Sequence, residues 1–286
     1  MKKLSWRNVL LIGITLFSMF FGSGNLIFPP FIGYQAGSVS VFAFLGFALS
    51  AVALPVLGVT AVAKCGGLDR LCEQVHPKFS LVFSIIIYLC IGPMLAIPRT
   101  ASTSYSMFAF LTDRLGSGSL FGIPVQMAAT ILFSLLFFTA AGIVAKRPER
   151  LKDILGKRMT PILLVLIFAM FAAGLLRMEL PVAQTAESYA EYPFFKGFTE
   201  GYQTMDTMAA VVFGIVIAVN IRALGIRDNN DIALETIKGG VIAGIFLGTV
   251  YGMLTFLGAK SSSLASGAQN GTEILSALCR EFFGSA

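Results

Sequence analysis

Two stretches of this sequence put helix-breaking and polar residues into otherwise apolar surroundings. The first is Phe21-Gly22-Ser23-Gly24-Asn25, followed by Phe28-Pro29-Pro30. Each glycine in a helix interior costs about 1 kcal/mol. A proline removes a backbone hydrogen bond and disfavours the helical region for the residue before it. In an apolar span, broken backbone survives only where it is buried in protein or lines a wet cavity. Freed carbonyls can coordinate a cation there, and a half-helix N-terminus can face an anion. A plain Pro-Gly kink is the simpler alternative. The second stretch is Gly201-Tyr202-Gln203-Thr204-Met205-Asp206-Thr207, with 15 residues between Asp206 and the basic boundary at Arg222. That spacing puts Asp206 near mid-membrane, where an aspartate costs about 3 kcal/mol. It must face a cavity or a partner, or else cap a half-helix that begins at Thr207. Either way the helix is interrupted.

Arg99 is the other charge inside an apolar stretch, following Gly92-Pro93 and Pro98. A lone arginine there is paired, snorkels outward, guards an outer gate or contacts a substrate carboxylate. The remaining chemistry is sparse. His76 is the single histidine and has no nucleophile motif near it. The sequence contains no HExxH, no P-loop and no intramembrane pair of aspartates, so catalysis and ATP-driven transport within this chain find no support. Cys65, Cys72, Cys90 and Cys279 lack CxxC spacing and read as free thiols, with no metal site or disulfide framework implied.

The elements that position these residues follow from composition. Of the 286 residues, 56% are hydrophobic and 13% charged. A soluble domain carries about 25% charged residues, so a soluble domain, a nucleic-acid binder and a disordered chain are all unlikely readings. With a mean hydropathy of +0.81, the principal solvent is lipid. The expected fold class is all-α, a polytopic membrane helical bundle of about seven spans in a single transmembrane domain covering 1–286. The expected spans are 9–34, 36–63, 79–112, 117–145, 159–177, 198–221 and 239–259. Their length and lack of period-2 alternation favour helices over barrel strands. Placing the N-terminus in the cytoplasm puts 15 of the 21 Lys and Arg inside, 5 outside and Arg99 within a span. That asymmetry predicts a cytoplasmic N-terminus, with the basic loop 146–158 as a topology signal. The segment 271–283 is expected as a short outer-face helix capped by Thr272, with Ile274, Leu275, Leu278 and Phe282 on one side. Gly240, Gly244, Gly248 and Gly252 recur at i+4 and predict a close-packing face. Asn270-Gly271-Thr272 is a formal glycosylation sequon, read as a chance match. The interrupted spans are the first and the sixth. They cross in opposite directions, as in a transporter built from inverted repeats.

Three segments, Phe21–Pro30 (FGSGNLIFPP), Gly92–Tyr105 (GPMLAIPRTASTSY) and Gly201–Gly214 (GYQTMDTMAAVVFG), resemble the branched-chain amino acid:cation symporters, the bacterial LIV-II carriers. The resemblance runs from the first span to the last residue. It implies a leucine-transporter-like inverted-repeat fold, incomplete in this chain, and uptake of leucine, isoleucine and valine by alternating access. It implies a multi-pass protein of the inner (plasma) membrane, no organic cofactor, and sodium or a proton as coupling ion. By motif, Gly22, Ser23, Gly24, Asn25, Thr204, Asp206 and Thr207 would frame the substrate. Gly92 and Pro93 would flank it, and Phe213 and Gly214 would shape a pocket for its side chain. Sodium would be held by Asn25, Thr204 and the carbonyls of Phe20 and Phe21. Arg99 would serve as a gate. Two departures stand out. Ser106 occupies the place of a glutamate in the family's third-span motif, removing one candidate partner of Arg99. The chain also corresponds to about two-thirds of a larger carrier. The expectation is therefore either a carrier completed by a second chain, or a truncated carrier without transport of its own that persists as a membrane scaffold.

Overall fold

The computed structural model describes residues 3–113, 118–120, 123–146, 160–176 and 181–284. The basic loop 147–159, and Arg114 and Arg177, lie outside the described residues. The chain folds as an all-α polytopic membrane bundle. The first span is two helices, α1 (Trp6–Phe20) and α2 (Ser23–Ala36), separated by Phe21 and Gly22. A single 3-10 turn, Gly37–Val39, leads to α3 (Ser40–Ala48), a π-helical turn at Leu49–Ala53 and α4 (Leu54–Cys65). The stretch Ser23–Cys65 is 43 residues long. At about 1.5 Å per residue it would be twice the thickness of the hydrocarbon, so it must turn back. It does so at Gly37, whose φ of 51° and close approach to the Ala183 carbonyl both require glycine.

Next come α5 (Leu68–Glu73), α6 (Pro77–Leu89), a π-helical segment at Cys90–Met94 and α7 (Ala96–Asp113). His76 caps α6: its Nδ1 accepts from the Lys78 N–H at 3.1 Å, and Pro77 occupies the first helical position. A two-residue antiparallel ladder, β1 (Ser119–Leu120) with β2 (Ile123–Pro124), precedes α8 (Val125–Ala145). Then follow α9 (Thr160–Leu176), α10 (Glu187–Ala190), α11 (Pro193–Tyr202), α12 (Asp206–Ala223), α13 (Asn229–Ala259) and α14 (Gly271–Phe283).

The expected span 239–259 is the uncharged part of a longer helix, α13, which begins at Asn229 because Asp228 accepts from the N–H groups of Asn230 and Asp231 at 2.9 and 3.1 Å. A cap overrides the charges of the following turns, which a hydropathy pattern counts as loop. Helix α14 is capped by Asn270, not Thr272. Asn270 Oδ1 accepts from the Glu273 N–H at 3.1 Å, and its Nδ2 donates to Glu273 Oε1 at 2.8 Å. Thr272 is buried one position inside the helix. The four cysteines are free thiols.

Helix α13 runs through the middle of the bundle and packs against α1, α2, α4 and α12, with Leu247, Tyr251 and Leu254 fully buried. Helix α3 lies along α11, α4 along α12 and α14 under α2. Several contacts are backbone on backbone. A Cβ on Gly33 of α2 would overlap the Thr255 carbonyl of α13, and one on Gly258 would overlap the Pro30 carbonyl of α2. Gly46 of α3 and Gly197 of α11 are related in the same reciprocal way to Phe194 and Ala43. In lipid, where no hydrophobic drive brings helices together, such small-residue contacts supply the packing. The glycine row on α13 is graded. Gly240 abuts Val56 and Gly244 abuts Val52, whereas Gly248 faces open space. Apolar side chains of α6 and α8, such as Leu81, Ile85, Leu132 and Leu135, are exposed on the outside of the bundle.

Gly33→Ala and Gly258→Ala should each destabilise the bundle by about 1–3 kcal/mol, because the intruding methyl meets backbone that cannot rotate away. Gly248→Ala should stay within about 0.5 kcal/mol of the parent. Thermal unfolding in lipid nanodiscs checks the ranking.

Candidate functional site

The first break is narrow. Phe21 (φ −71°, ψ 96°) and Gly22 (φ −126°, ψ −166°) are extended, and helix resumes at Ser23. Asn25 lies in the first turn of α2, where its Oδ1 accepts the Gly22 N–H at 2.9 Å and closes the helix start. Pro29 and Pro30 sit inside α2 and leave the carbonyls four residues earlier, those of Asn25 and Leu26, without their helical donors.

The second break spans Gln203, Thr204 and Met205. Met205 has φ 67° and ψ 13°, the one left-handed non-glycine among the described residues. Holding a methionine there costs about 1–2 kcal/mol. Thr204 stabilises the turn on both sides: its hydroxyl donates to the Gly201 carbonyl at 2.8 Å and accepts the Asp206 N–H at 3.4 Å.

A third irregularity lies between α6 and α7. Gly92 (φ −86°, ψ −119°) and Leu95 (φ −130°, ψ −61°) leave the helical region. One turn later Arg99 reaches across to the second break. Its Nη1 donates to the Gln203 carbonyl and its Nη2 to the Thr204 carbonyl at 3.0 Å. Its guanidinium carbon lies 5.8 Å from the centre of the Phe28 ring. The partner of Arg99 is thus the carbonyl end of α11, the negative end of a half-helix dipole.

The two breaks meet at the centre. Gly24 of α2 lies so close to Thr204 that a Cβ would come within 3.2 Å of the Thr204 Cα. Asn25 Nδ2 donates to Asp206 Oδ2 at 2.6 Å and also to the Tyr251 hydroxyl. The Tyr251 hydroxyl donates to the same Asp206 oxygen at 3.3 Å. Exposure is 1% for Asn25, 4% for Thr204 and Asp206, and 0% for Tyr251. Asp206 therefore lies deep in the bundle with neutral donors on one oxygen, which offsets part of its desolvation.

A cavity of about 130 Å³ opens beside this cluster. Of the residues singled out in the sequence, Phe20, Gly22, Ser23, Gly24, Asn25, Arg99, Thr204 and Asp206 line it. Phe21, Gly92, Pro93, Thr207, Phe213 and Gly214 do not. Phe21 stacks on Phe17 at 5.3 Å, and the Thr207 hydroxyl points to the Ser50 carbonyl at 3.4 Å. Phe213 packs on Phe20, and Gly214 accommodates Val62. Gly92 and Pro93 belong to the irregular segment, while its neighbours Ile91 and Ala96 reach the wall. Thr100, Met205 and Ala209 complete the lining and were missed, as was Tyr251 behind it. Ala209 follows from Asp206 at helical spacing and Met205 adjoins it in the break, whereas nothing in the sequence marks Tyr251.

The chemistry of the cavity is zwitterionic at one end and apolar at the other. The first-turn N–H groups of α2 at Ser23 and Gly24 lack intrahelical acceptors and carry the positive end of the helix dipole. Asp206 supplies negative charge, and Phe20, Ile91, Ala96 and Ala209 supply an apolar wall. Among the described residues no three His, Cys, Asp or Glu side chains converge as a transition-metal site requires.

The comparisons with known proteins agree with one another. The family model for branched-chain amino acid transport protein matches residues 5–286. The branched-chain amino acid permease BraB of Bacillus subtilis is 37% identical over 282 residues, covering 98% of this chain and 61% of that protein. The branched-chain amino acid permease BrnQ of the same organism is 37% identical, covering 99% of this chain and 63% of that protein. The branched-chain amino acid transport system 2 carrier protein of Pseudomonas aeruginosa is 38% identical with the same two coverages, 99% and 63%. The chain therefore spans less than two-thirds of the length of these curated relatives. No solved structure matches. With the match extending over almost every residue, this integral membrane protein belongs to the branched-chain amino acid transport protein family, a family of carriers and not of enzymes.

Proposed function

We propose that this chain carries the substrate site of a secondary transporter that imports leucine, isoleucine and valine by alternating access, coupled to a sodium or proton gradient. The observation that carries this reading is the meeting of two interrupted helices, at Phe21–Gly22 and Gln203–Met205, around a cavity that holds Asp206. Transport of branched-chain amino acids is what the relatives' names state, and it comes to this chain by that likeness.

The substrate carboxylate faces the α2 N-terminus at Ser23 and Gly24. The ammonium faces Asp206, and the branched side chain rests on Phe20, Ile91 and Ala209. The coupling cation is assigned to Asn25, Thr204 and the carbonyls of Phe20 and Phe21, because hard oxygen donors suit sodium. Phe20, Asn25 and Thr204 share the cavity wall, which supports that assignment. One cation moving inward through 100 mV releases about 2.3 kcal/mol, enough for a roughly fifty-fold accumulation. The opposed broken spans fit an inverted-repeat architecture. The orientation with a cytoplasmic N-terminus rests on the basic residues.

Asp206→Ala or Asn25→Ala should lower sodium-dependent binding of radiolabelled leucine by the nanodisc-embedded chain at least tenfold, a loss of about 1.4 kcal/mol or more. The matching substitutions in a full-length relative should abolish uptake into proteoliposomes. Uptake at the parental rate would overturn the site. For orientation, Ser262→Cys in a chain whose four native cysteines are replaced by serine should react with a membrane-impermeant maleimide in intact cells. Labelling confined to inside-out vesicles would reverse the topology.

A further inference from the structure

Helix α13 has an uncharged membrane core from Gly239 to Ala259, and Tyr251 is fully buried in it. The ring packs edge-to-face on Phe47, with centroids 5.3 Å apart and planes at 76°. The hydroxyl is the third member of a closed ring of hydrogen bonds. Asn25 donates to it, it donates to Asp206, and Asn25 donates to Asp206 directly. The proton accounting leaves no slack. Both N–H groups of the Asn25 amide are used, its oxygen holds the Gly22 N–H, and the single phenolic proton is aimed at Asp206 Oδ2.

Three spans meet in this ring. Asn25 represents the first break, Asp206 begins the helix after the second, and Tyr251 belongs to the unbroken helix between them. Without the phenol, the two breaks keep one bond in common, and Asn25 is left with an N–H that has no acceptor in a water-poor interior. The breaks can then respond to ligands one at a time.

We infer that Tyr251 is a positioning residue which, through its hydroxyl, holds the first break at Asn25 and the second at Asp206 in the one arrangement that both the cation and the amino acid use, so that binding of either favours the other. The inference rests on the carrier reading above. Its measurable content is the linkage factor by which sodium strengthens leucine binding, and by reciprocity leucine strengthens sodium binding. For coupled sites this factor is about 5–150.

The test is equilibrium binding of radiolabelled leucine to the full chain in nanodiscs, with and without saturating sodium. Tyr251→Phe keeps the ring and its contact with Phe47. It should bring the factor down to within about twofold of unity while changing sodium-free leucine affinity by less than about threefold. Phe47→Leu keeps the hydroxyl and loosens the ring. It should lower thermal stability yet retain the factor. A parental factor in Y251F overturns the role of Tyr251, and so does equal loss in F47L, which would mark a general packing effect. A wild-type chain whose leucine binding is linked neither to sodium nor to pH overturns the carrier reading itself. If Y251F does not fold, hydrogen exchange on the unmodified chain decides. Sodium and leucine together should slow exchange at 22–25 and 204–206 by more than the sum of their separate effects, and strictly additive protection overturns the inference.

Discussion

A carboxylate buried at the start of a helix inside a membrane bundle needs donors around it before the bundle is stable. Asp206 meets that constraint by drawing Asn25 and Tyr251 onto one oxygen, and much of the bundle follows from the geometry this demands. Asn25 can reach it only because α2 starts afresh after Gly22 and turns its first-turn side chains toward α12. Asp206 can be reached only because α11 stops at Tyr202 and the chain passes through a left-handed Met205. The absence of a side chain at Gly24 lets the two interruptions come together without crowding. The local cost of each irregularity is offset in part by the hydrogen bonds it lets the buried Asp206 receive.

The same economy governs the arginine. Arg99 enters the bundle just beyond an irregular stretch of its own, and the carbonyls it satisfies are those the second interruption sets free. A helix end and an intramembrane cation, each unfavourable alone, relieve one another. Phe28 covers the guanidinium on one side and so limits its contact with water.

The parts of this arrangement that depend on residue type are legible in the sequence. Glycine and proline clusters inside apolar stretches mark where α1 yields to α2. A lone aspartate marks the start of α12, and a lone arginine has to be satisfied somewhere. The parts that depend on who meets whom are not legible. Tyr251 looks like any aromatic residue in an apolar helix until α2 and α12 bring two polar groups to its hydroxyl. Gly33 and Gly258 are single glycines without a repeat, yet they make closer contacts than the regular row ending at Gly248 and Gly252. Thr272 and Asn270 are both sound caps by type. The choice between them rests on Glu273, which pairs with Asn270 from the third position of the helix. Gly92 and Pro93 announce an irregular backbone without saying which neighbour will face the cavity.

The reciprocal glycine contacts have a mechanical meaning. Where Gly33 lies on the Thr255 carbonyl and Gly258 on that of Pro30, no layer of side chains separates α2 from α13, and Gly271 seats α14 against Ile27 of α2 in the same manner. Close-packed backbones of this kind do not slide by small increments. The three helices are therefore locked together as one unit, and the extended residues Phe21 and Gly22 are where that unit parts from α1.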